Sequence, residues 1–343
     1  MTQNEQNGTS GETLYVGIDL GTSKSTISAS NDRSSLIESY VGWPKDFIAA
    51  KVLGKSVMFG TEALDHRLSL EMCRPLERGV IKEGIDRSED AVKEIIRELI
   101  RLAEPQDGQQ IKAIVGVPAD TMKVNKLAIR RAVTDCVHSL MVVSEPFAVA
   151  YSMDLLDNAF IIDIGAGTVD FCIMHGTMPD ENDQKTINTA GDYIDDQLFS
   201  LLTERYPRSR FTKNMVRQFK ERFSFVDSIS EDIKVELPLD GKPTEHDIKT
   251  EIKKACESIL TPIIDTAAEM ISRFDPEFQA KIKNNIVLAG GGSQIRNLAD
   301  HIANSLKEYG KCKVVCVEDP LFAGSQGALR LAMDMPVSYW EKL

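Results

Sequence analysis

The sequence predicts an α/β fold in which one strand–loop–strand pattern occurs twice. The first copy spans residues 15–29 and the second spans residues 161–174. In each copy an apolar strand reaches an acidic residue, a loop of small residues follows, and a second strand begins. Elsewhere, short apolar strands alternate with amphipathic helices, which is typical of doubly wound sheets. We therefore expect any ligand to bind at the carboxyl ends of these strands.

The two loops are too rich in small residues for ordinary turns. Gly21 in the first loop and Gly165, Ala166 and Gly167 in the second clear side chains from backbone N–H groups that can then converge on an anion. Asp19 and Asp163 precede these loops, and a carboxylate beside a phosphate requires a divalent cation between them. The predicted ligand is therefore a nucleotide with Mg²⁺. The alternative is a pair of ordinary β-hairpins with polar turns.

The composition indicates a globular protein with room for two domains. The chain has 343 residues, of which 42% are hydrophobic and 27% charged. No apolar run reaches the roughly 18–20 residues of a membrane span, and the N-terminus lacks the order of a signal peptide, so we expect a cytoplasmic protein without membrane insertion. A net charge of −12 argues against nucleic acid as a non-specific partner. The six cysteines form no CxxC pair, which favours reduced thiols over a metal site.

The N-terminal part is predicted to contain a tail, the first strand pair and a small insert. Residues 1–12 are polar and without periodicity, and we expect a mobile tail there. Residues 40–45 are predicted as a turn, followed by strand-like pieces at residues 48–53 and 57–60. We interpret residues from about 40 to 75 as a small subdomain attached to the first sheet.

A helix, a strand and a second helix are predicted next. Ser88 is a candidate N-cap, and apolar residues recur at helical spacing from Ala91 to Leu102. Residues 111–118 have the pattern of a buried strand that ends in a turn, and residues 125–138 that of a helix.

Glu145 is the candidate for activating a water molecule. Pro146 indicates the first turn of a helix, and the small residues Ala148 and Ala150 indicate that this helix packs closely against another element. Glu145 is left at the N-terminal end of the helix, where a carboxylate near the terminal phosphate can orient water for in-line attack. The alternative is a carboxylate that only stabilises the helix dipole.

Residues from about 191 to 250 are predicted as a second insert, which mirrors the first in position. It should contain an amphipathic helix from Gly191, a helix over residues 215–225 and a strand over residues 231–239. Lys220 and Glu221 lie between two phenylalanines of the second helix. A solvated helix face is the default interpretation of these charges, and a purine or ribose contact is the alternative. A single long helix is predicted over residues 251–274.

Gly290, Gly291 and Gly292 directly follow a buried strand. Three consecutive glycines destabilise a folded chain through lost backbone entropy, so a structural turn alone rarely uses them. Close approach of a flat ligand such as adenosine explains them better. A final helix, which opens over residues 319–328, is rich in small residues and should pack against the small-faced helix after Glu145. Two crossing helices with small faces make a hinge.

The ordered set of two Gly-rich loops, two small-faced helices and one Gly cluster resembles the superfamily of actins, DnaK-type chaperones and sugar kinases over nearly the whole chain. The resemblance implies an actin-like fold, with two ribonuclease-H-like domains around a nucleotide cleft. Domain I would comprise residues 13–151 and 320–343, with its insert at about 40–75. Domain II would comprise residues 152–319, with its insert at about 191–250.

The resemblance also implies roles for individual residues. Asp19 and Asp163 would hold the Mg²⁺ shell, Glu145 would position the hydrolytic water, and Asp170 would support it. The phosphates of ATP or ADP would be cradled by Gly21, Thr22, Ser23 and Lys24 from one side and by Gly165, Ala166, Gly167 and Thr168 from the other. The nucleoside would contact Gly191, Lys220, Glu221, Gly290, Gly291 and Gly292. Ala166 departs from the three glycines of many relatives, and its methyl group should be tolerated if φ is negative.

Within the superfamily, the length and the segments at residues 144–146 and 318–320 resemble bacterial actins rather than chaperones or kinases. Segments at residues 41–46, 116–119, 142–147, 223–226 and 339–343 are similar to the filament-forming ATPases that align magnetosomes in magnetotactic bacteria. The resemblance implies a head-to-tail, multi-stranded homopolymer that assembles with ATP, hydrolyses it afterwards and binds a magnetosome-associated adaptor protein. The alternatives are a plasmid-segregating actin and a non-polymerising ATPase switch or small-molecule kinase.

Overall fold

Two sheets with the same strand order form the framework of the computed structural model, which describes residues 13–81 and 87–343. In each sheet the first strand of the repeated pattern is central. Its hairpin partner and one further antiparallel strand lie on one side, and two parallel strands lie on the other. This repeated order confirms the α/β fold. The expected tail at residues 1–12 lies outside the described residues.

The first sheet carries an additional short edge strand near the C-terminus. Its strands, in spatial order, are Glu341–Lys342, Ser139–Ser144, Ile111–Val117, Leu14–Leu20, Lys24–Ala29 and Ser34–Glu38. The strands of the second sheet are Gln184–Ile187, Val169–His175, Asp157–Ile164, Ile286–Ala289 and Val314–Cys316. We propose that these sheets are the cores of the two domains expected from the sequence.

The helices cover the sheets and connect them. The α-helices are Phe47–Leu53, Gly60–Asp65, Ser88–Leu102, Met122–Val133, Glu145–Ser152, Gly191–Arg205, Lys213–Phe223, Lys249–Glu257, Leu260–Arg273, Gln279–Lys283, Leu298–Ser305 and Ala323–Asp334. Short 3₁₀ helices are Ala119–Thr121, Gly291–Gln294, Leu306–Tyr309 and Val337–Tyr339. Within the described ranges, none of these helices is long and apolar enough to cross a membrane.

The helices Glu145–Ser152 and Ala323–Asp334 pack between the two sheets, and their small residues allow a close approach. A Cβ atom added to Gly327 would overlap the carbonyl oxygen of Ala148, and one added to Gly17 would overlap that of Ser325. A shared apolar cluster therefore joins both helices to residues of both sheets, for example Ile114 and Val287. The predicted contact between two small-faced helices is confirmed.

The first insert differs from the sequence prediction. Residues 40–45, predicted as a turn, contain the strand Val41–Pro44, which pairs with Met58–Phe59 and Leu70–Cys73 in a three-stranded sheet. Residues 48–53, predicted as a strand, belong instead to a helix. The Asp46 side chain caps its first turn by accepting from the backbone N–H groups of residues 48 and 49, and Gly54 ends it with φ 66°. These two capping interactions outweigh the strand propensity of the apolar residues.

One further prediction of a helix was wrong in detail. The helix expected over residues 251–274 is two helices, Lys249–Glu257 and Leu260–Arg273, which are separated at residues 258–259. The Gly cluster opens into a short 3₁₀ helix, and the next α-helix begins only at Leu298. The second insert contains the predicted helices together with a hairpin formed by Lys234–Leu239 and Lys242–Asp247. A second hairpin, Leu76–Glu77 with Val80–Ile81, follows the first insert.

Candidate functional site

A cavity of about 370 Å³ lies between the carboxyl ends of the two central strands. Its volume falls within the range of about 300–1,000 Å³ that is usual for small-molecule sites. Its lining includes the following residues selected from the sequence: Asp19, Gly21, Thr22, Ser23, Lys24, Glu145, Asp163, Gly165, Ala166, Gly167, Thr168, Gly191, Lys220, Glu221, Gly290, Gly291 and Gly292. Asp170 is the exception, since it lies behind the lining. Residues that are more than 250 positions apart in the sequence therefore line the same cavity.

Sequence analysis did not select several other lining residues. Among them are Thr26, Gly79, Pro118, Asp192, Asp195, Arg217, Gln294 and Pro320. No local sequence motif marks these residues. Arg217 and Asp195 stand one helical turn from selected residues, so helical periodicity could have found them.

The first loop (residues 21–23) and the second loop (residues 165–168) face each other directly. A Cβ atom added to Gly167 would overlap Thr22 Oγ1 and would lie 3.0 Å from the Cα atom of Arg78. Gly167 is therefore required for the close approach of the two loops. Ala166 is not among the described residues with positive φ, so its methyl group causes no backbone strain.

The second loop is also held by the N-terminus of the helix Gly191–Arg205. The backbone N–H of Gly191 donates to the carbonyl oxygen of Gly165 at 3.1 Å, and that of Asp192 donates to Ala166 at 2.7 Å. Both bonds use carbonyl oxygens of the loop. The N–H of Gly165 donates within the loop to the carbonyl oxygen of Thr168 at 2.9 Å, so an anion would be bound by the N–H groups that follow Gly165.

Four carboxyl groups gather at the floor of the cavity and directly behind it. Asp19 and Asp163 are the penultimate residues of the two central strands, Glu145 begins the helix behind them, and Asp170 lies on the strand after the second loop. Burial and the charge of Asp170 raise the pKa of Asp19 to about 7. Burial and the charges of Asp19 and Asp170 raise the pKa of Asp163 well above its usual value. The cluster is therefore costly to ionise unless a cation joins it.

Glu145 has a free acceptor in this cluster. Its Oε1 atom is buried and has no hydrogen-bond partner among the described residues. Burial is the largest cause that raises its pKa well above the usual value, and the charges of Asp19, Asp170 and Asp163 add to it. A buried oxygen without a partner that lines a cavity is suited to accept a hydrogen bond from a ligand or a water molecule.

Asp170 differs from the other three carboxyl groups because protein donors surround it. Its Oδ1 atom accepts from the backbone N–H of Ala119 at 3.1 Å and from Thr186 Oγ1 at 2.6 Å. Burial raises its pKa to about 6, although these hydrogen bonds, together with one from Thr168, lower it. Asp170 therefore connects the strand after the second loop to Ala119 and Thr186 by hydrogen bonds.

The carboxyl groups do not form a metal cage by themselves. Within residues 13–81 and 87–343, no group of three or more His, Cys, Asp or Glu side chains is arranged to hold a metal ion. A site with one or two carboxylates suits Mg²⁺, which usually completes its shell with water and substrate phosphates.

At the other end of the cavity, Lys220 and Glu221 are both engaged by protein groups. Lys220 Nζ donates to the carbonyl oxygen of Gly191 at 2.8 Å and lies 2.9 Å from Asp195 Oδ1. Glu221 Oε1 lies 3.5 Å from Lys24 Nζ, which belongs to the opposite wall. Lys220 thus fixes one helix of the second insert against the other.

The Gly cluster closes the cavity beside the second loop. Gly290 has φ 71°, and a Cβ atom there would overlap Asp163 Oδ1. A Cβ atom on Gly292 would overlap Ile164 Cγ2, whereas a Cβ atom on Gly291 would meet nothing within 4 Å. Packing therefore requires glycine at positions 290 and 292, and only position 291 faces open space.

Comparisons with known proteins match nearly the full chain. The family model described as MreB/Mbl protein matches residues 13–337. The actin-like protein MamK of Paramagnetospirillum magneticum is 40% identical over 339 residues, which are 99% of this chain and 98% of that protein. A solved structure described as a MamK double helical filament superposes with a TM-score of 0.92 at 40% identity, covering 95% of this chain and 100% of the other. A non-polymerising MamK mutant bound to AMPPNP gives a TM-score of 0.73 at 40% identity, with coverages of 94% and 99%.

Proposed function

The chain belongs to the MreB/Mbl family of actin-like proteins, and from this membership we propose that it is an ATPase that polymerises with ATP and hydrolyses it after assembly. Membership confirms the predicted actin-like fold and the resemblance to bacterial actins. It favours a filament protein over the non-polymerising switch and the small-molecule kinase, and the MamK relative favours it over a plasmid-segregating actin.

One structural observation at the candidate site supports the proposal. Two small-residue loops face each other across a cavity whose floor holds buried carboxyl groups that have no cationic partner within residues 13–81 and 87–343. The MamK mutant that matches this chain binds AMPPNP, an ATP analogue. A triphosphate between the loops, with Mg²⁺ held beside Asp19 and Asp163, would satisfy both the loop N–H groups and the carboxylates. Held there, Mg²⁺ would supply positive charge against the phosphates and Lewis-acid chemistry.

In this mechanism Glu145 orients the attacking water. Its Oε1 atom accepts a hydrogen bond from that water and holds it in line with the terminal phosphate. Glu145 ionises more readily once the negative charges of Asp19 and Asp163 are neutralised, because those charges raise its pKa. Asp170 supports the arrangement from behind, through its hydrogen bonds to Ala119 and Thr186.

Self-assembly has a candidate surface in the first insert. Four large apolar side chains are exposed there: Phe47, Ile48, Val52 and Leu68, at 80%, 58%, 77% and 84%. Apolar groups that water reaches to this extent commonly mark interfaces. We propose that a second copy of the chain covers them in a head-to-tail contact, which does not close on itself and so produces a strand of subunits, and that such strands associate through a further contact into a multi-stranded filament.

We further propose that ATP closes the two walls of the cleft and that the closed form fits its neighbour in the filament. By its relation to MamK, we place the filament in the cytoplasm alongside magnetosomes, where an adaptor protein links the two. Neither nucleic acid nor direct membrane insertion is part of this proposal.

The experiment that tests the function is sedimentation of the purified protein with Mg-ATP, Mg-ADP or no nucleotide, with phosphate release followed in parallel. We expect pelleting that depends on ATP. Glu145→Ala should still bind ATP and pellet, but lose most phosphate release, so its filaments persist. Glu204→Ala, at an exposed carboxylate outside the cavity, is the matched control. Phosphate release from a protein that stays in the supernatant at every concentration contradicts polymerisation.

A further inference from the structure

Thr186 joins the two sheets beneath the cavity. It lies on the edge strand Gln184–Ile187 of the second sheet, and its side chain is half-buried. Its Oγ1 atom donates to Asp170 Oδ1 at 2.6 Å and accepts from the backbone N–H of Asp120 at 3.3 Å. Asp120 belongs to the 3₁₀ helix that follows the first-sheet strand Ile111–Val117. One hydroxyl group therefore uses its donor toward the second sheet and its acceptor toward the first.

A parallel hydrogen bond reinforces this connection. The backbone N–H of Ala119 donates to the same Asp170 Oδ1 atom at 3.1 Å, so two consecutive N–H groups of the first sheet reach the Asp170–Thr186 pair. We call these four residues, Ala119, Asp120, Asp170 and Thr186, the floor contact. Pro118, directly before it, lines the cavity, whereas Asp170 is 1% exposed and lies behind the lining. The floor contact therefore supports the cavity from outside.

On the side of the second sheet, the floor contact reaches Asp163. Asp163 and Asp170 lie directly opposite each other in one antiparallel strand pair, and Asp170 and Thr186 do so in the next pair. Side chains that lie opposite each other on neighbouring strands share one face of the sheet and are in close proximity. A displacement of Asp170 would therefore displace Asp163, beside which we propose that Mg²⁺ is held.

On the side of the first sheet, the floor contact reaches Glu145. A Cβ atom added to Gly116 would lie 3.6 Å from Glu145 Cγ, so the end of the strand Ile111–Val117 lies against this side chain. Ala119 follows Gly116 by only three residues. Glu145 is thus attached to one side of the floor contact, and Asp163 with the second loop to the other. The floor contact fixes the separation between Glu145 and the groups that face the terminal phosphate.

We propose that Thr186 is a positioning residue for hydrolysis, whose hydroxyl group holds the two sheets at the separation that places the water on Glu145 in line with the terminal phosphate. The inference rests on the proposed ATPase function and adds to it a residue outside the cavity. In-line attack is sensitive to this separation, because a misplacement of about 1 Å can slow a reaction about 100-fold. Nucleotide binding depends on the two loops instead, so loss of the hydroxyl group should affect hydrolysis more than affinity.

The test is hydrolysis of Mg-ATP by Thr186→Val, which replaces the hydroxyl group with a methyl group of similar size and so removes both of its hydrogen bonds. We expect kcat to fall about tenfold or more while KM stays within about twofold of the wild-type value. Thr186→Ser keeps the hydroxyl group and should retain about half or more of the wild-type kcat. Chemical quenching measures the phosphate formed, and titration with Mg-AMPPNP counts the nucleotide sites per chain.

Two comparisons separate positioning from a purely structural role. Thr244→Val removes a strand hydroxyl group that bonds the carbonyl oxygen of Lys242 outside the cavity, and it should leave kcat and KM unchanged. If Thr186 only stabilised the fold, Thr186→Val would contain fewer nucleotide sites but keep the wild-type kcat per site, and that result refutes the inference. A Thr186→Ser variant as slow as Thr186→Val refutes it as well, because the hydroxyl group is then not responsible.

A measurement on the wild-type protein needs no variant to fold. With Mg-AMPPNP bound, the backbone N–H groups of Ala119 and Asp120 should exchange with solvent deuterium at least about tenfold more slowly than unprotected amides. Exchange at the unprotected rate refutes the floor contact and leaves the proposed function intact. Failure of the wild-type protein to hydrolyse ATP at all refutes the function itself.

Discussion

Arg74 joins the two loops of the cavity through Asp192. Its Nη2 atom lies 3.0 Å from Asp192 Oδ1, and its Nε atom donates to the carbonyl oxygen of Thr22 in the first loop at 2.9 Å. The backbone N–H of Asp192 donates in turn to Ala166 in the second loop. One guanidinium group therefore spans the cleft between backbone segments that are far apart in the sequence.

Removal of this connection should weaken the coupling between the two loops. Arg74→Gln and Asp192→Asn should each lower kcat/KM for ATP by about three- to tenfold, because the loops no longer hold a fixed separation. The double variant should lose little more than either single variant, with a coupling free energy of about 1 kcal/mol in a double-mutant cycle. Additive losses show that the two side chains act independently. Arg33→Gln, at an exposed arginine outside the cavity, serves as the control.

Two aspartates of the carboxyl cluster should respond oppositely to the same truncation. Asp163→Ala removes a buried carboxyl group whose ionisation burial disfavours, and should leave the metal-free protein equally stable or more stable, while Mg-ATP binding weakens at least about tenfold. Asp170→Ala removes an acceptor for Ala119 and Thr186 and should destabilise the fold by about 2–3 kcal/mol. Thermal unfolding with and without Mg-AMPPNP measures both effects. A wild-type affinity for ATP in Asp163→Ala removes that residue from the site.

The stability of the nucleotide-free protein should depend on pH. The folded protein holds the protons of Asp19 and Asp170 up to pKa values of about 7 and about 6, above the ordinary value of 3.8. Between about pH 4 and about pH 7 the folded state thus binds more protons than the unfolded chain, and the free energy of unfolding falls as pH rises. Stabilisation by Mg-AMPPNP, which favours the ionised cluster, should grow over the same interval.

Melting temperatures in chelator at about pH 5, about pH 6 and about pH 7.5 measure this slope. Asp19→Asn removes one of the responsible groups and should flatten it. An unchanged slope in that variant assigns the pH dependence to other groups.

Substitutions at two positions of the Gly cluster should have different effects, one on packing and the other on ligand binding. Gly292→Ala places a methyl group against Ile164 and should destabilise the fold by about 1–3 kcal/mol. Gly291→Ala places it in open space and should leave stability unchanged, but weaken ATP binding if adenosine occupies that space as proposed. Calorimetric titration of ATP, together with denaturant unfolding, compares the two variants. Normal ATP affinity in Gly291→Ala means that the nucleoside lies elsewhere.

The exposed apolar surface of the first insert should control assembly. Phe47→Asp puts a charge on a side chain that is 80% exposed, so folding and nucleotide binding should be unaffected. If a second copy covers this residue, the critical concentration for pelleting should rise about tenfold or more. Asp65→Ala, a charge change elsewhere in the insert, is the control. Unaltered pelleting of Phe47→Asp places the subunit contact on another surface.

Much of the site could be predicted because its signals are local. Asp19 and Asp163 each lie at the end of an apolar strand and precede a loop of small residues. Each of these two patterns occupies no more than ten consecutive positions of the sequence. The small faces around Ala148 and Gly327 likewise follow from residue size at helical spacing. The stabilising effect of helix capping was underestimated, because Asp46 and Gly54 cap a helix where the apolar residues suggested a strand.

The sequence by itself determined the repeated strand–loop–strand pattern, the nucleotide-binding loops expected at its strand ends and the family resemblance, because each depends on residues close together in the chain. Only the tertiary structure decided which distant side chains complete the cavity. Arg74 meets Asp192, and Arg217 meets Glu38, across separations that no periodicity records. Their partners are set by how the two sheets and their inserts pack, since an ion pair exists only once both walls of the cleft are in place.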